Sequence, residues 1–149
     1  MKISENGIEL IKKFEGFKAK PYLDSAKVPT IGFGTTYYPT GKNVTLSDPE
    51  ITREQGSVFL KSYLDDISDT VTALLPAGIN QKQFDAVMSF CYNLGVSKFK
   101  SSTLLKKIKA NHYDTSIHQE FMKWVFAGGQ QLEGLKKRRE AEAALYFTI

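Results

Sequence analysis

The stretch from Phe17 to Asn43 holds Pro21, Pro29, Gly32, Gly34, Pro39 and Gly41, and no continuous helix tolerates that density. Proline removes a backbone N–H and clashes with the preceding turn, and glycine costs about 1 kcal/mol relative to alanine. Short apolar runs such as Val28-Pro29-Thr30-Ile31-Gly32-Phe33-Gly34 lie between these residues and predict a small antiparallel sheet. On both sides the spacing becomes helical. Ser4 is placed to cap a helix with Ile8, Ile11 and Phe14 on one stripe, ending near Glu15-Gly16. Asp48-Pro49 closes the punctuated region, and Thr52-Arg53-Glu54-Gln55 is a capping-box pattern for a long helix to about Leu75. Pro76-Ala77-Gly78 stops it.

Asn80-Gln81-Lys82-Gln83 repeats the capping pattern before Phe84, Val87, Met88 and Cys91, with an end at Leu94-Gly95. Ser101 or Ser102 caps a short helix with Leu104, Leu105 and Ile108 inward and Lys106, Lys107 and Lys109 outward. A helix through Phe121-Met122-Lys123-Trp124, a break at Gly128-Gly129 and a last helix from about Leu135 to Tyr146 complete the pattern. The expected fold class is α+β, mainly helical, in one domain over 1–149. It comprises a small N-terminal antiparallel sheet lobe at about 16–58 and a larger helical lobe at about 77–149 plus the N-terminal helix. A long helix joins them, and a cleft between such lobes is where a polymer would lie.

A hydrophobic content of 42% and a charged content of 24% exclude a disordered chain. The single cysteine, Cys91, forms no internal disulfide; within Val87-Met88-Ser89-Phe90-Cys91-Tyr92 it is expected as a buried structural thiol. The polar start Met1-Lys2-Ile3-Ser4-Glu5 lacks the apolar core of a secretory signal. No run approaches the ~18 apolar residues of a membrane span, so stable membrane insertion is not expected. A formal charge of +4 favours a polyanionic partner without choosing among nucleic acid, cell wall and membrane surface.

Chemistry concentrates near the start. Eight residues separate Glu15 from Asp24 and five separate Asp24 from Thr30, with Ile31-Gly32-Phe33-Gly34 directly after. Glu15 falls at the end of a helix, and Asp24 and Thr30 fall around the turn and first strand of a hairpin. Glu15 between Phe14 and Phe17 can be shielded from water, which suits an acid; taken alone, a solvated helix-end glutamate is the plainer explanation. Asp24 suits a turn, and Thr30 suits a strand by propensity alone. Gly32 and Gly34 would let a ligand approach the backbone. Two carboxyls and a hydroxyl suit glycosidic hydrolysis, with one acid protonating the departing oxygen and the other carboxylate assisting on the opposite face.

In order and spacing, this segment resembles the catalytic signature of the phage-type lysozymes, the endolysins of glycoside hydrolase family 24. Phe90-Cys91-Tyr92-Asn93-Leu94-Gly95 resembles that family's aromatic-Asn-Leu-Gly element, and Ser101-Ser102-Thr103-Leu104-Leu105 its Ser-Thr-Leu-Leu helix. Trp124-Val125-Phe126-Ala127-Gly128-Gly129 and Gly134-Leu135-Lys136-Lys137-Arg138-Arg139-Glu140-Ala141-Glu142 resemble its closing motif. The resemblance implies a lysozyme-like fold. It makes Glu15 the general acid, Asp24 the second catalytic carboxylate and Thr30 the residue that places the water. It puts Gly32, Asn93, Arg138 and Arg139 at the substrate, with one of the two arginines beside the acid. Many relatives carry histidine after Ile-Gly-aromatic-Gly, where this chain has Thr35.

The implied activity is hydrolysis of the β-1,4 bond between N-acetylmuramic acid and N-acetylglucosamine in peptidoglycan, leading to host lysis. Peptidoglycan glycan strands are the expected partner, with no cofactor, no metal and a monomeric state. The resemblance also implies residence in the host cytoplasm until a holin opens the inner membrane, then action on the wall from the periplasm. A non-catalytic wall-binding module, a chitin-cleaving relative and a basic DNA-binding protein are the rivals. His112 and His118 lack zinc-site spacing and are expected at the surface. Lys136-Lys137-Arg138-Arg139 beside Glu140 and Glu142 is expected as a solvated, internally paired face rather than a specific nucleic-acid site. Trp124 is expected in the core.

Overall fold

The computed structural model describes all 149 residues. Its elements run α1 (Glu5–Glu15), β1 (Lys18–Leu23), β2 (Pro29–Gly32), α2 (Arg53–Leu74), α3 (Gln81–Leu94), α4 (Val96–Lys100), α5 (Thr103–Ala110), α6 (Ile117–Met122), β3 (Phe126–Ala127), β4 (Gln130–Gln131) and α7 (Glu133–Tyr146). The architecture is α+β with two small antiparallel sheets, as the patterning predicts. Two compact units divide the chain, one of Ile11–Asp66 and one of Met1–Leu10 with Ile67–Ile149.

In the 11–66 unit, β1 and β2 pair antiparallel with partners Lys18↔Gly32, Tyr22↔Thr30 and Leu23↔Pro29. The register shifts between Lys18 and Tyr22, so β1 bulges there. The run 28–34 is not one strand. Gly32 and Gly34 have φ of 65° and 85°, and Ile31 and Thr35 exchange both backbone hydrogen bonds at 2.9 Å, so the chain turns sharply at Gly32-Phe33-Gly34. Only glycine adopts these left-handed angles freely.

Phe33, at the tip of that turn, is buried with Ile31, Leu60 and Leu64. Its ring lies 5.2 Å from Phe17, and the Arg53 guanidinium sits 5.2 and 5.4 Å from the two rings. Gly56 makes room for this stack on α2, since a Cβ there would come within 2.9 Å of Phe17. The expected capping box opens α2: Thr52 N–H donates to Gln55 Oε1, and Gln55 N–H to Thr52 Oγ1.

The other unit is helical. Asn80 and Gln83 form the expected capping box on α3, and Ser102 rather than Ser101 caps α5. Helices α3 and α7 pack together. Phe90 on α3 meets Phe99, Phe121 and Trp124 edge-on at 5.6–5.9 Å. Burying side chains of this size contributes about 1.5–3 kcal/mol each. Asp85 on α3 holds the start of α1, accepting from the Ser4 N–H at 3.0 Å and from the Ser4 hydroxyl.

Four details depart from the sequence expectation. Helix α4 is too short for a period to show in sequence. Helix α6 stops at Met122, leaving Trp124 outside it and half-buried against Phe90. Gly128-Gly129 is the tip of the β3–β4 hairpin rather than a plain break, because two successive positive φ angles, 59° and 79°, match the twist of a tight hairpin. His112 is half-buried, with Nδ1 3.2 Å from Gln83 Oε1, whereas His118 is exposed as expected. No helix is long and apolar enough to cross a membrane.

Candidate active site

Glu15 is the last residue of α1. Gly16 stops the helix: its N–H bonds to the Lys12 carbonyl at 2.9 Å while its φ of 69° sends the chain away in the left-handed conformation. The glutamate is half-buried there.

Asp24 follows β1, and its side chain organises the loop into β2. Oδ1 accepts the Ala26 N–H at 2.8 Å and the Val28 N–H at 2.9 Å. The Asp24 N–H donates to the Val28 carbonyl at 3.0 Å, and the Lys27 N–H to the Asp24 carbonyl at 2.9 Å. Lys27 takes a φ of 61° to close this loop. Both backbone bonds use Oδ1, so Oδ2 is the oxygen that the turn leaves unanchored. The turn therefore engages one oxygen of the carboxylate and leaves the other outside its hydrogen bonds.

Thr30 lies on β2, the second strand of the hairpin rather than the first, directly across from Tyr22. Its hydroxyl donates to the Val28 carbonyl at 2.8 Å. With the proton committed there, the lone pairs remain as acceptors for a further donor such as water.

Glu15, Asp24 and Thr30 thus all belong to the 11–66 unit. Tyr22 links them electrostatically. Burial pushes its phenol above the usual value, and the charges of Glu15 and Asp24 push it further in the same direction. Both carboxylates therefore act on one hydroxyl. Sequence reasoning passed over Tyr22, although an aromatic residue two positions before Asp24 was the available signal.

Gly32 is buried, and a Cβ on it would meet Ile51 at 3.2 Å and the Gly56 backbone at 3.4 Å. Turn geometry and packing therefore require a glycine here.

Asn93, Arg138 and Arg139 belong to the other unit. Arg139 Nη2 donates to Asn93 Oδ1 at 2.8 Å, and its Nε lies 2.7 Å from Glu142 Oε1. Arg138 Nε lies 3.4 Å from Glu142 Oε2, which also accepts from Ser89 Oγ at 2.5 Å. The Arg139 guanidinium lies over the Phe90 ring at 5.1 Å. Arg138 and Arg139 are 4% and 0% exposed, so the solvated face expected at 136–142 is, at these positions, a buried ionic cluster. The i,i+3 and i,i+4 spacing from the arginines to Glu142 signalled the ion pairs, though not their burial. Cys91 is the buried thiol expected from the sequence, pushed above its ordinary value chiefly by burial and next by the Glu142 charge.

A helix-end glutamate followed by an aspartate and threonine on a small hairpin, in an otherwise helical α+β chain, defines a lysozyme-like protein. The phage lysozyme family model matches residues 12–142. The endolysin of Bacillus phage B103 is 40% identical over 150 residues, covering 99% of this chain and 55% of its own length. The endolysin of Salmonella phage P22 is 37% identical over 148 residues, covering 99% of each. The muramidase domain of SpmX from Asticaccaulis excentricus matches with a TM-score of 0.85 at 31% identity, over 99% of both chains. The chain therefore spans about half the length of the B103 protein and nearly all of the P22 protein. It belongs to the phage lysozyme family, a family of glycoside hydrolases.

Proposed function

We propose that this chain is a phage endolysin that hydrolyses the β-1,4 bond between N-acetylmuramic acid and N-acetylglucosamine in peptidoglycan. The names of its relatives, endolysin and muramidase domain, support that substrate. The observation that carries the reaction is the Val28 carbonyl, which receives both the Asp24 N–H and the Thr30 hydroxyl. One residue, Val28, therefore ties the backbone of Asp24 to the Thr30 hydroxyl, while its N–H holds Asp24 Oδ1.

Glu15 supplies the proton to the departing glycosidic oxygen. Asp24 Oδ2 and Thr30 Oγ1, both acting as acceptors, take the two hydrogens of a water. That water's lone pair is then directed at the anomeric carbon as the bond to the leaving sugar breaks. The proton released by the water goes to Asp24. Attack by water opposite the leaving group inverts the configuration, so the first product is the α-anomer. A covalent sugar ester on Asp24 would release the β-anomer instead.

Glu15→Gln tests the reading. General acid catalysis is worth roughly 10²–10⁴-fold, and loss of that order in peptidoglycan clearance, with an unchanged circular dichroism spectrum, is the expected result. Clearance at the native rate would remove Glu15 from the mechanism. The positive net charge favours approach to anionic wall polymers, with a salt-sensitive rate. The enzyme reaches the wall through an opening that a separate holin makes in the inner membrane.

A further inference from the structure

A groove of about 520 Å³ opens in the 11–66 unit, between the segment 38–51 and Phe59 on α2. Tyr38, Pro39, Pro49, Ile51 and Phe59 give it a mostly apolar lining. A concavity of this size and lining suits a small ligand with methyl groups or ring faces to bury.

Backbone bonds and one carboxylate hold its walls. The Tyr38 N–H donates to the Lys42 carbonyl at 2.9 Å and the Gly41 N–H to the Tyr38 carbonyl at 2.8 Å, closing a tight turn. The Tyr38 hydroxyl donates to Asp48 at 2.6 Å, and the Tyr38 ring meets Phe59 edge-on at 5.3 Å. Ile51 joins the groove to the strand pair. Its N–H donates to the Ala19 carbonyl on β1 at 2.9 Å, and its Cδ1 lies against Gly32 on β2. The groove therefore adjoins the hairpin that carries Thr30.

Charge narrows the choice of ligand. Asp48 is already engaged by the Thr45 hydroxyl, the Thr45 N–H and Tyr38. Lys42 also lines the groove; its side chain is exposed and has no partner within ion-pair distance. The charge left for a ligand is thus positive. An apolar groove with one spare cation complements a short apolar segment ending in a carboxylate. A bare sugar ring fits it poorly, because its hydroxyls need several directed hydrogen bonds.

Resting on the reading of peptidoglycan as the substrate, we propose that this groove binds the peptide stem of the wall polymer by its D-alanine end. The alanine methyl groups lie on the Tyr38, Phe59 and proline rings, and the terminal carboxylate pairs with Lys42. A stem held there adds affinity for the polymer and no chemical step.

The test is titration of the full chain with a synthetic stem pentapeptide ending in D-alanyl-D-alanine, followed by amide NMR. Shifts centred on Thr40, Lys42, Ile51 and Phe59 are expected. Amidating the peptide's terminal carboxylate, or Lys42→Gln, weakens binding roughly two- to fivefold, the range for one exposed ion pair. Lys42→Gln also raises KM by the same factor on glycan strands that bear stems, and leaves it unchanged on strands stripped of them by an amidase. No shift in the groove at millimolar peptide overturns the proposal, and so does equal binding of the acid and the amide. Shifts of the same amides by dodecyl phosphate but not by the pentapeptide overturn it too, by giving the groove to an acyl chain. Peptide binding is read without hydrolysis, so Glu15→Gln separates the two readings. If that variant loses clearance while the peptide fails to bind, only the groove assignment falls; if it clears walls at the native rate, the catalytic reading falls.

Discussion

Asp24 and Thr30 are joined through the backbone of a single residue, Val28. The Val28 carbonyl accepts from the Asp24 N–H at 3.0 Å and from the Thr30 hydroxyl at 2.8 Å, while the Val28 N–H donates to Asp24 Oδ1 at 2.9 Å. The spacing of the two side chains is thus fixed by the loop that joins their strands and not by side-chain contact between them. Such backbone-fixed geometry needs no reorganisation when substrate arrives, which is the form of preorganisation that hydrolysis by a placed water requires.

Thr30→Val removes the hydroxyl while keeping shape and strand propensity. The acceptor for water disappears, and so does the bond to Val28. Turnover is expected to fall by roughly 10²-fold, within the range for misplacing a reacting group. Thr30→Ser keeps the oxygen and is expected within about tenfold of the native rate by the same reasoning. Equal activity of the valine and serine variants in a dye-release assay would show that the hydroxyl does not place the water.

Much of this arrangement was legible in the sequence, for a physical reason. Capping boxes are local, so Thr52 with Gln55 and Asn80 with Gln83 marked helix starts that the structure reproduces. The spacing of Glu15, Asp24 and Thr30 is likewise a property of one short segment. Gly32 and Gly34 misled because the same letters write a weak strand and a tight turn, and only the Ile31–Thr35 pairing decides between them. The burial of Arg138 and Arg139 was not legible at all. It depends on Ser89 and Asn93, some 46–49 positions away on α3, and a run of four basic residues beside acids looks the same when solvated. The role of Val28 was invisible because its backbone atoms leave no composition signal.

Thr35 is buried, and its hydroxyl has no hydrogen-bond partner. An unsatisfied buried hydroxyl costs about 1–3 kcal/mol, and an apolar isostere removes that cost. Thr35→Val is therefore expected to raise Tm, by about 2–4 °C per kcal/mol recovered for a chain of this size. A lower Tm by calorimetry would mean that the hydroxyl is satisfied in solution.

Asp48 predicts an acid-sensitive loop. Its carboxylate accepts from the Thr45 hydroxyl at 2.6 Å, from Tyr38 Oη at 2.6 Å and from the Thr45 N–H at 2.9 Å. These bonds, the Thr45 hydroxyl first, hold its pKa down at about 2, against 3.8 for the ordinary group. A depressed carboxylate stabilises the folded loop fully above the unfolded value, and the contribution fades as pH falls from about 4 to 2. The Tyr38 ring signals should broaden or shift over that window in proton NMR. Asp48→Asn should abolish the transition, and a transition that persists in this variant would place its origin elsewhere.

Glu142 offers the sharpest stability test. It is 0% exposed and faces two buried guanidiniums, with Arg139 Nε at 2.7 Å and Arg138 Nε at 3.4 Å. Its removal strands both buried positive charges in the α3–α7 interface. Breaking a buried pair from one side costs about 3–5 kcal/mol, far more than the same pair contributes relative to an apolar replacement. Glu142→Leu should therefore lower the denaturation midpoint severely. Replacing Arg139 by Met in the same chain should recover part of the loss, because one of the two stranded charges is gone. A double variant less stable than Glu142→Leu alone would show that Arg139 holds this interface through Asn93 and the Phe90 ring rather than through its ion pair.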